Sequence, residues 1–93
     1  MNYQLWITDN NNKLYKYVFN NSKEAYLYYL KNYATQEDFE YYKECCDKNL
    51  YDIADDENLI ASVFRNVFNL KHHLYFVTKN KNGTLIYKEI DKT

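Results

Sequence analysis

Proline is absent from this chain, and glycine occurs once, at Gly83. Without proline, no helix or strand is interrupted by a missing N–H or a fixed φ, so each element runs to its own cap or turn. With a single glycine there is no glycine-rich loop to cradle a phosphate. Arginine also occurs once, at Arg65, and the two cysteines are adjacent. No apolar run reaches the ~18 residues of a membrane-spanning helix. The longest, residues 59–64, is interrupted by Ser62. The opening Met-Asn-Tyr-Gln-Leu lacks the basic and apolar regions of a secretory signal, so a cytoplasmic location is expected.

What is abundant is aromatic and polar. Hydrophobic residues make up 46% of the 93, enough to fill one core, and a single domain spanning residues 1–93 is expected. Tyrosine occurs twelve times and asparagine thirteen. Phe, Tyr, Met, Ile, Asn and Lys, whose codons are AT-rich, supply 47 of the 93 residues, so tyrosine number alone carries little functional weight.

Local patterns predict an α+β domain in the order ββαααββ, two β-hairpins forming an antiparallel sheet packed against three short helices. Residues 3–8 alternate with period two, 9–12 (Asp-Asn-Asn-Asn) read as a turn, and 14–19 are β-branched and aromatic. Asn21 caps a helix over about 22–33, with Glu24 in the capping-box position and Tyr26, Tyr29, Leu30 and Tyr33 on one stripe. Thr35 caps a second helix, its first turn carrying Glu37 and Asp38, its stripe Phe39, Tyr42 and Cys46. Asp55 or Asp56 caps a third, whose apolar face is Leu59, Ile60, Val63, Phe64 and Val67. Strands over about 73–78 and 84–90 close the chain around Asn82-Gly83, which predicts a turn with positive φ at both positions.

Period-two alternation assigns Tyr3, Leu5, Ile7, Tyr15, Tyr17, Phe19, Leu74, Phe76, Leu85 and Tyr87 to one sheet face. The other takes Gln4, Trp6, Thr8, Leu14, Lys16, Val18, Tyr75, Val77, Ile86, Lys88 and Ile90. That second face is too apolar for a surface facing water. Either the helices divide between the two sides, or one side docks onto another protein or a second copy.

Candidate chemistry is sparse. Adjacent helical residues point ~100° apart, so Cys45 and Cys46 do not converge on one ion, and one sulfur is expected in the core. His72 and His73 project to opposite faces of a strand, which disfavours joint ligation. Asp52, Asp55, Asp56 and Glu57 lack the central glycine and final ligand of a calcium loop, and helix capping accounts for residues 55–57. Ser22 lies at a helix start and Ser62 inside a helix, so neither reads as a nucleophile. No enzyme activity, cofactor or metal is expected.

Charge is the most informative feature. Nine of the thirteen carboxylates fall between residues 35 and 60, with only two lysines, a formal −7; the remainder of the chain carries +6. Glu37, Glu40, Glu44 and Asp47 follow a spacing that places them on one side of the second helix. Asp52, Asp55, Asp56 and Glu57 extend the field around the next turn. The bland account is a solvated face whose anions cap helices; the functional one is a surface that meets a basic groove. A second constellation mixes Lys13, Lys16, Lys71, Lys79, Lys81 and Lys88 with Tyr15, Tyr17, Tyr75 and Tyr87 on the strands. Single-strand-binding sheets use such residues, although the aromatic motif of those folds is missing and arginine is scarce, which argues against direct nucleic-acid binding.

With its acid-rich helical stretch from Glu37 to Glu57 and no catalytic motif, the chain resembles the small inhibitor proteins of phages and mobile elements, of which anti-CRISPR proteins are the best described. The resemblance implies a non-enzymatic, DNA-mimicking inhibitor inside a bacterial host cell. It would occupy the nucleic-acid-binding groove of a CRISPR effector or another nuclease. Glu37, Glu40, Glu44, Asp47, Asp52, Asp55, Asp56 and Glu57 are then the expected partner-binding residues. Two other readings stand beside it: a homodimeric interaction module using the apolar sheet face, and a single-strand nucleic-acid-binding domain using the Lys/Tyr sheet.

Overall fold

Two turns of the same geometry shape the sheet. In the computed structural model, which describes residues 1–90, strands β1 (Asn2–Thr8) and β2 (Leu14–Phe19) are joined through residues 9–13. The Asp9 N–H donates to the Lys13 carbonyl at 2.9 Å, the Asn12 N–H donates to the Asp9 carbonyl at 3.0 Å, and Asn12 adopts φ 62°. Asp9 Oδ1 accepts from the Asn11 and Lys13 N–H groups. Strands β3 (His72–Lys79) and β4 (Leu85–Glu89) repeat the pattern, with Asn80 in the place of Asp9 and Gly83, at φ 80°, in the place of Asn12. Each is a three-residue loop: a type I turn followed by one left-handed residue.

This loop corrects one expectation. A two-residue turn at Asn82-Gly83 would pair odd positions of β4 with even positions of β3. The actual loop is one residue longer, Asn82 keeps a negative φ, and the register becomes Val77↔Tyr87 and Phe76↔Lys88. A one-residue slip reverses every side chain of a strand. Leu85 and Tyr87 therefore lie on the face assigned to Trp6 and Tyr75, while Ile86, Lys88 and Ile90 belong to the other.

The four strands form one antiparallel sheet in the order β2-β1-β3-β4. Between the hairpins run α1 (Ser22–Asn32), α2 (Gln36–Cys46), a short 3-10 helix (Leu50–Ile53) that the sequence patterns did not reveal, and α3 (Glu57–Asn66). Asn21 caps α1, its Oδ1 accepting from the Glu24 N–H at 2.9 Å. Asp56 caps α3, accepting from the Asn58 and Leu59 N–H groups.

The core joins Leu5, Ile7 and Leu74 of the sheet to Tyr26, Tyr29 and Leu30 of α1, Leu50 and Ile53 of the 3-10 helix, and Ile60, Val63 and Phe64 of α3. All of its sheet residues come from one face, so the helices do not divide between two sides. Among the described residues, no helix covers the other face. Tyr26, fully buried, donates from its hydroxyl to the Leu50 carbonyl at 2.7 Å, tying α1 to the 3-10 helix. Helix α2 buries Tyr42 and packs Phe39 partly against the core, as the stripe required, but both Cys45 and Cys46 are exposed, which corrects the stripe at Cys46 and the expected core sulfur. The reason is placement: α2 rests mainly on the narrow 3-10 helix rather than on the sheet, so one buried residue suffices.

Candidate functional site

Helix α2 begins with a reciprocal cap. The Asp38 N–H donates to Thr35 Oγ1 at 3.2 Å, and the Thr35 N–H donates to Asp38 Oδ2 at 3.0 Å. From this start Glu37, Glu40 and Glu44 repeat along one exposed flank. Glu40 accepts from the Gln36 side-chain amide at 3.1 Å. Glu37 and Glu44 have no hydrogen bond or ion pair among the described residues. With Phe39, Lys43 and Asn49, Glu40 and Glu44 line a surface groove of about 440 Å³. Phe39 stacks against Tyr51 with ring centroids 5.7 Å apart, and Tyr41 and Tyr51 are both half exposed.

The other five expected residues are also exposed, but each has a task within the fold. Asp47 ends α2 in the left-handed conformation at φ 54° and pairs with Lys43 at 3.2 Å. Asp52 accepts from the Asn49 N–H at 3.2 Å, closing the cap of the 3-10 helix. Asp55 meets Lys23 of α1 at 2.8 Å, a pair open enough to water to contribute at most ~1 kcal/mol. Asp56 is the α3 cap. Glu57 accepts from the Tyr3 hydroxyl at 2.5 Å. Burial, reinforced by that carboxylate, pushes the Tyr3 hydroxyl up to about 12.

The eight acids thus divide into Glu37 and Glu44 with no side-chain partner among the described residues, Glu40 bonded only within its own helix, and five with structural partners. Capping does not remove a charge, so the negative field of residues 35–60 persists. None of the hairpin lysines Lys13, Lys16, Lys79 and Lys81 bridges these acids among the described residues. Among the described residues the internal counter-ions are Lys23 and Lys43. The roles of Asp38 and Asp52 were readable in principle, from Thr-x-x-Asp and Asn-x-x-Asp spacings. The Lys23–Asp55 and Tyr3–Glu57 contacts join residues far apart in sequence and left no local trace.

The remaining titratable residues offer little chemistry. His72 and His73 take opposite faces, as alternation requires, His72 bonding to the Tyr29 hydroxyl at 2.8 Å and His73 to Glu89. Among the described residues, no group of three or more His, Cys, Asp or Glu side chains is arranged to hold a metal ion, and no helix is long and apolar enough to cross a membrane. Compared with known proteins, the chain matches no family model, no curated protein and no solved structure.

Proposed function

We propose that this protein is a non-enzymatic inhibitor that presents the acidic flank of α2 to a basic, nucleic-acid-binding surface of a nuclease, in the manner of anti-CRISPR proteins that mimic DNA charge. The observation that carries the reading is the row Glu37, Glu40 and Glu44: exposed, on a helix that buries a single residue, without a lysine of the sheet to neutralise it. Carboxylates in such a row accept from Lys and Arg that otherwise hold phosphates. The groove beside them and the half-exposed Tyr41 and Tyr51 supply apolar contact, which governs how long a partner stays. Asp47, Asp52, Asp55, Asp56 and Glu57 contribute to long-range steering rather than to direct pairing.

The test is DNA cleavage by a panel of purified CRISPR effector nucleases at ~50–150 mM salt, the range in which surface charge is only partly screened. The native protein is expected to inhibit at least one of them stoichiometrically, and excess duplex DNA to relieve the inhibition. A variant carrying Glu37→Lys, Glu40→Lys and Glu44→Lys should retain its helical signal and not inhibit. Equal inhibition by that variant contradicts the reading, as does inhibition of none of the panel.

A further inference from the structure

The face of the sheet that no helix covers among the described residues has its own chemistry. Its register brings Trp6 of β1, Tyr75 of β3 and Tyr87 of β4 together, with ring centroids 4.6 Å (Trp6–Tyr75), 5.6 Å (Trp6–Tyr87) and 6.3 Å (Tyr75–Tyr87) apart. Tyr87 joins this group only because of the three-residue loop at its hairpin. The Lys16 ammonium lies 4.1 Å from the centre of the Trp6 ring, and the Trp6 N–H donates to Gln4, so the polar edge of the indole is satisfied. Lys16 is the cross-strand partner of Trp6, and Lys79, two positions beyond Val77, projects from the same face. Lys71 precedes β3 and Lys81 occupies the hairpin tip beyond its other end, and all four lysines are exposed. The one carboxylate that this face carries among the described residues is Glu89, whose side chain is 11% exposed and bonded to His73.

We propose that this face binds single-stranded nucleic acid, a base stacking on the aromatic cluster at Tyr87, its most exposed ring, and the phosphates held by Lys16 and Lys79. Aromatic rings accept any base on their faces, and flanking lysines follow the backbone charge. The eight residue steps from Lys71 to Lys79 span ~26 Å of strand, which suits a site of about four nucleotides, the low end for small single-strand-binding domains. The charge sign favours this occupant over a second copy. Two such faces set against each other would bring lysines together with no accessible carboxylate among the described residues to meet them. The proposal concerns the side of the sheet opposite the helices and stands independently of the inhibitor reading.

Trp6 is the only tryptophan, so the face carries its own fluorescent reporter. The full chain is titrated with oligo-uridine and oligo-thymidine dodecamers, following Trp6 emission together with the anisotropy of a labelled oligonucleotide. Saturable quenching is expected with both, because stacking and phosphate charge do not read the sugar. Affinity should fall about 20- to 100-fold between ~50 and ~200 mM salt for three to five phosphates neutralised. Tyr87→Ala should weaken binding about tenfold or more through one lost stack. Lys16→Gln with Lys79→Gln should lower the salt slope by about 1.4, whereas Lys31→Gln on α1 leaves binding unchanged. If Tyr87→Ala does not fold, the double lysine variant decides. Absence of quenching and of anisotropy change at ~50 mM salt overturns the proposal, as does undiminished affinity in both variants. A Trp6 signal that depends on protein concentration alone, with a doubled mass in light scattering, assigns the face to a second copy and overturns it equally.

Discussion

The Tyr29 hydroxyl lies 2.8 Å from Nδ1 of His72, joining the middle of α1 to the first residue of β3. Burial holds the Tyr29 phenol above its ordinary value, so it keeps its proton, and the hydroxyl donates to or accepts from Nδ1 according to the His72 tautomer. Burial also holds His72 below its ordinary 6.5; nearby His73 acts in the same direction and Asp38 opposes them. Protonating His72 makes Nδ1 a donor, whose proton the hydroxyl oxygen can still accept, but it places a charge in a part-buried site.

Stability should therefore depend on pH in a defined window. Because the folded His72 binds its proton less readily than the unfolded one, its contribution is complete above pH 6.5. It is lost as pH falls from there through the lowered folded value, and it is constant below that. Urea midpoints measured between pH 7.5 and about 5, above the ordinary carboxylate range, should decline on acidification. His72→Gln should flatten the decline. A native midpoint that rises on acidification over this interval contradicts the assignment.

Tyr26→Phe tests the link between α1 and the 3-10 helix. The ring keeps its packing while the Leu50 carbonyl loses its 2.7 Å donor in a fully buried setting. The expected cost is about 1–3 kcal/mol by urea denaturation. A change under ~0.5 kcal/mol, the range of an ordinary surface substitution, would mean that the carbonyl finds another partner.

The acids should separate by stability as they do by geometry. Asp56→Ala removes the acceptor for two α3 N–H groups and Thr35→Ala removes the α2 cap, each costing about 0.5–2 kcal/mol. Glu44→Ala, on the free flank, should stay within ~0.5 kcal/mol of the native chain. Thermal or urea denaturation of the three variants reads the division directly.

Much of this was legible because it is local. Asn21, Thr35 and Asp56 could be read as caps, since a cap depends on its own residue and the next few. The α3 face of Ile60, Val63 and Phe64 followed from period alone. What escaped notice was of two kinds. Asn82-Gly83 fits a two-residue turn and also the end of a three-residue loop, and the difference decides where Tyr87 points. The deciding signal was present in the matched spacing of Asp9 to Asn12 and Asn80 to Gly83. The second kind is tertiary: nothing near Asp55 announces Lys23, and nothing near Cys46 shows that α2 rests on a narrow support. The acidic row on α2 was visible by spacing, whereas the structural employment of the other acids required the fold.

The hairpin loops give a backbone test. At φ 80° a side chain on residue 83 is strained although the space around it is open, so Gly83→Ala should cost ~1 kcal/mol or more. Asn12→Gly, at the matching φ of 62°, should be neutral or stabilising. NMR of the native chain should show the cross-strand pair Val77–Tyr87. The pair Thr78–Tyr87, which a two-residue turn at Asn82-Gly83 would make, would refute the loop argument.

The most direct test of the inhibitor reading compares two sets of acids against whichever nuclease the protein inhibits. Affinities at ~50, ~150 and ~300 mM salt are measured for the native chain, for Glu37→Lys with Glu40→Lys and Glu44→Lys, and for Asp52→Asn with Asp55→Asn. The α2 flank is predicted to dominate: the triple reversal should lose about 100-fold or more at low salt, consistent with several charge contacts removed. The Asp52/Asp55 pair should lose no more than about threefold, the share of steering charge alone. Equal losses in both sets, or none in the α2 set, would contradict the assignment of the partner surface to Glu37, Glu40 and Glu44.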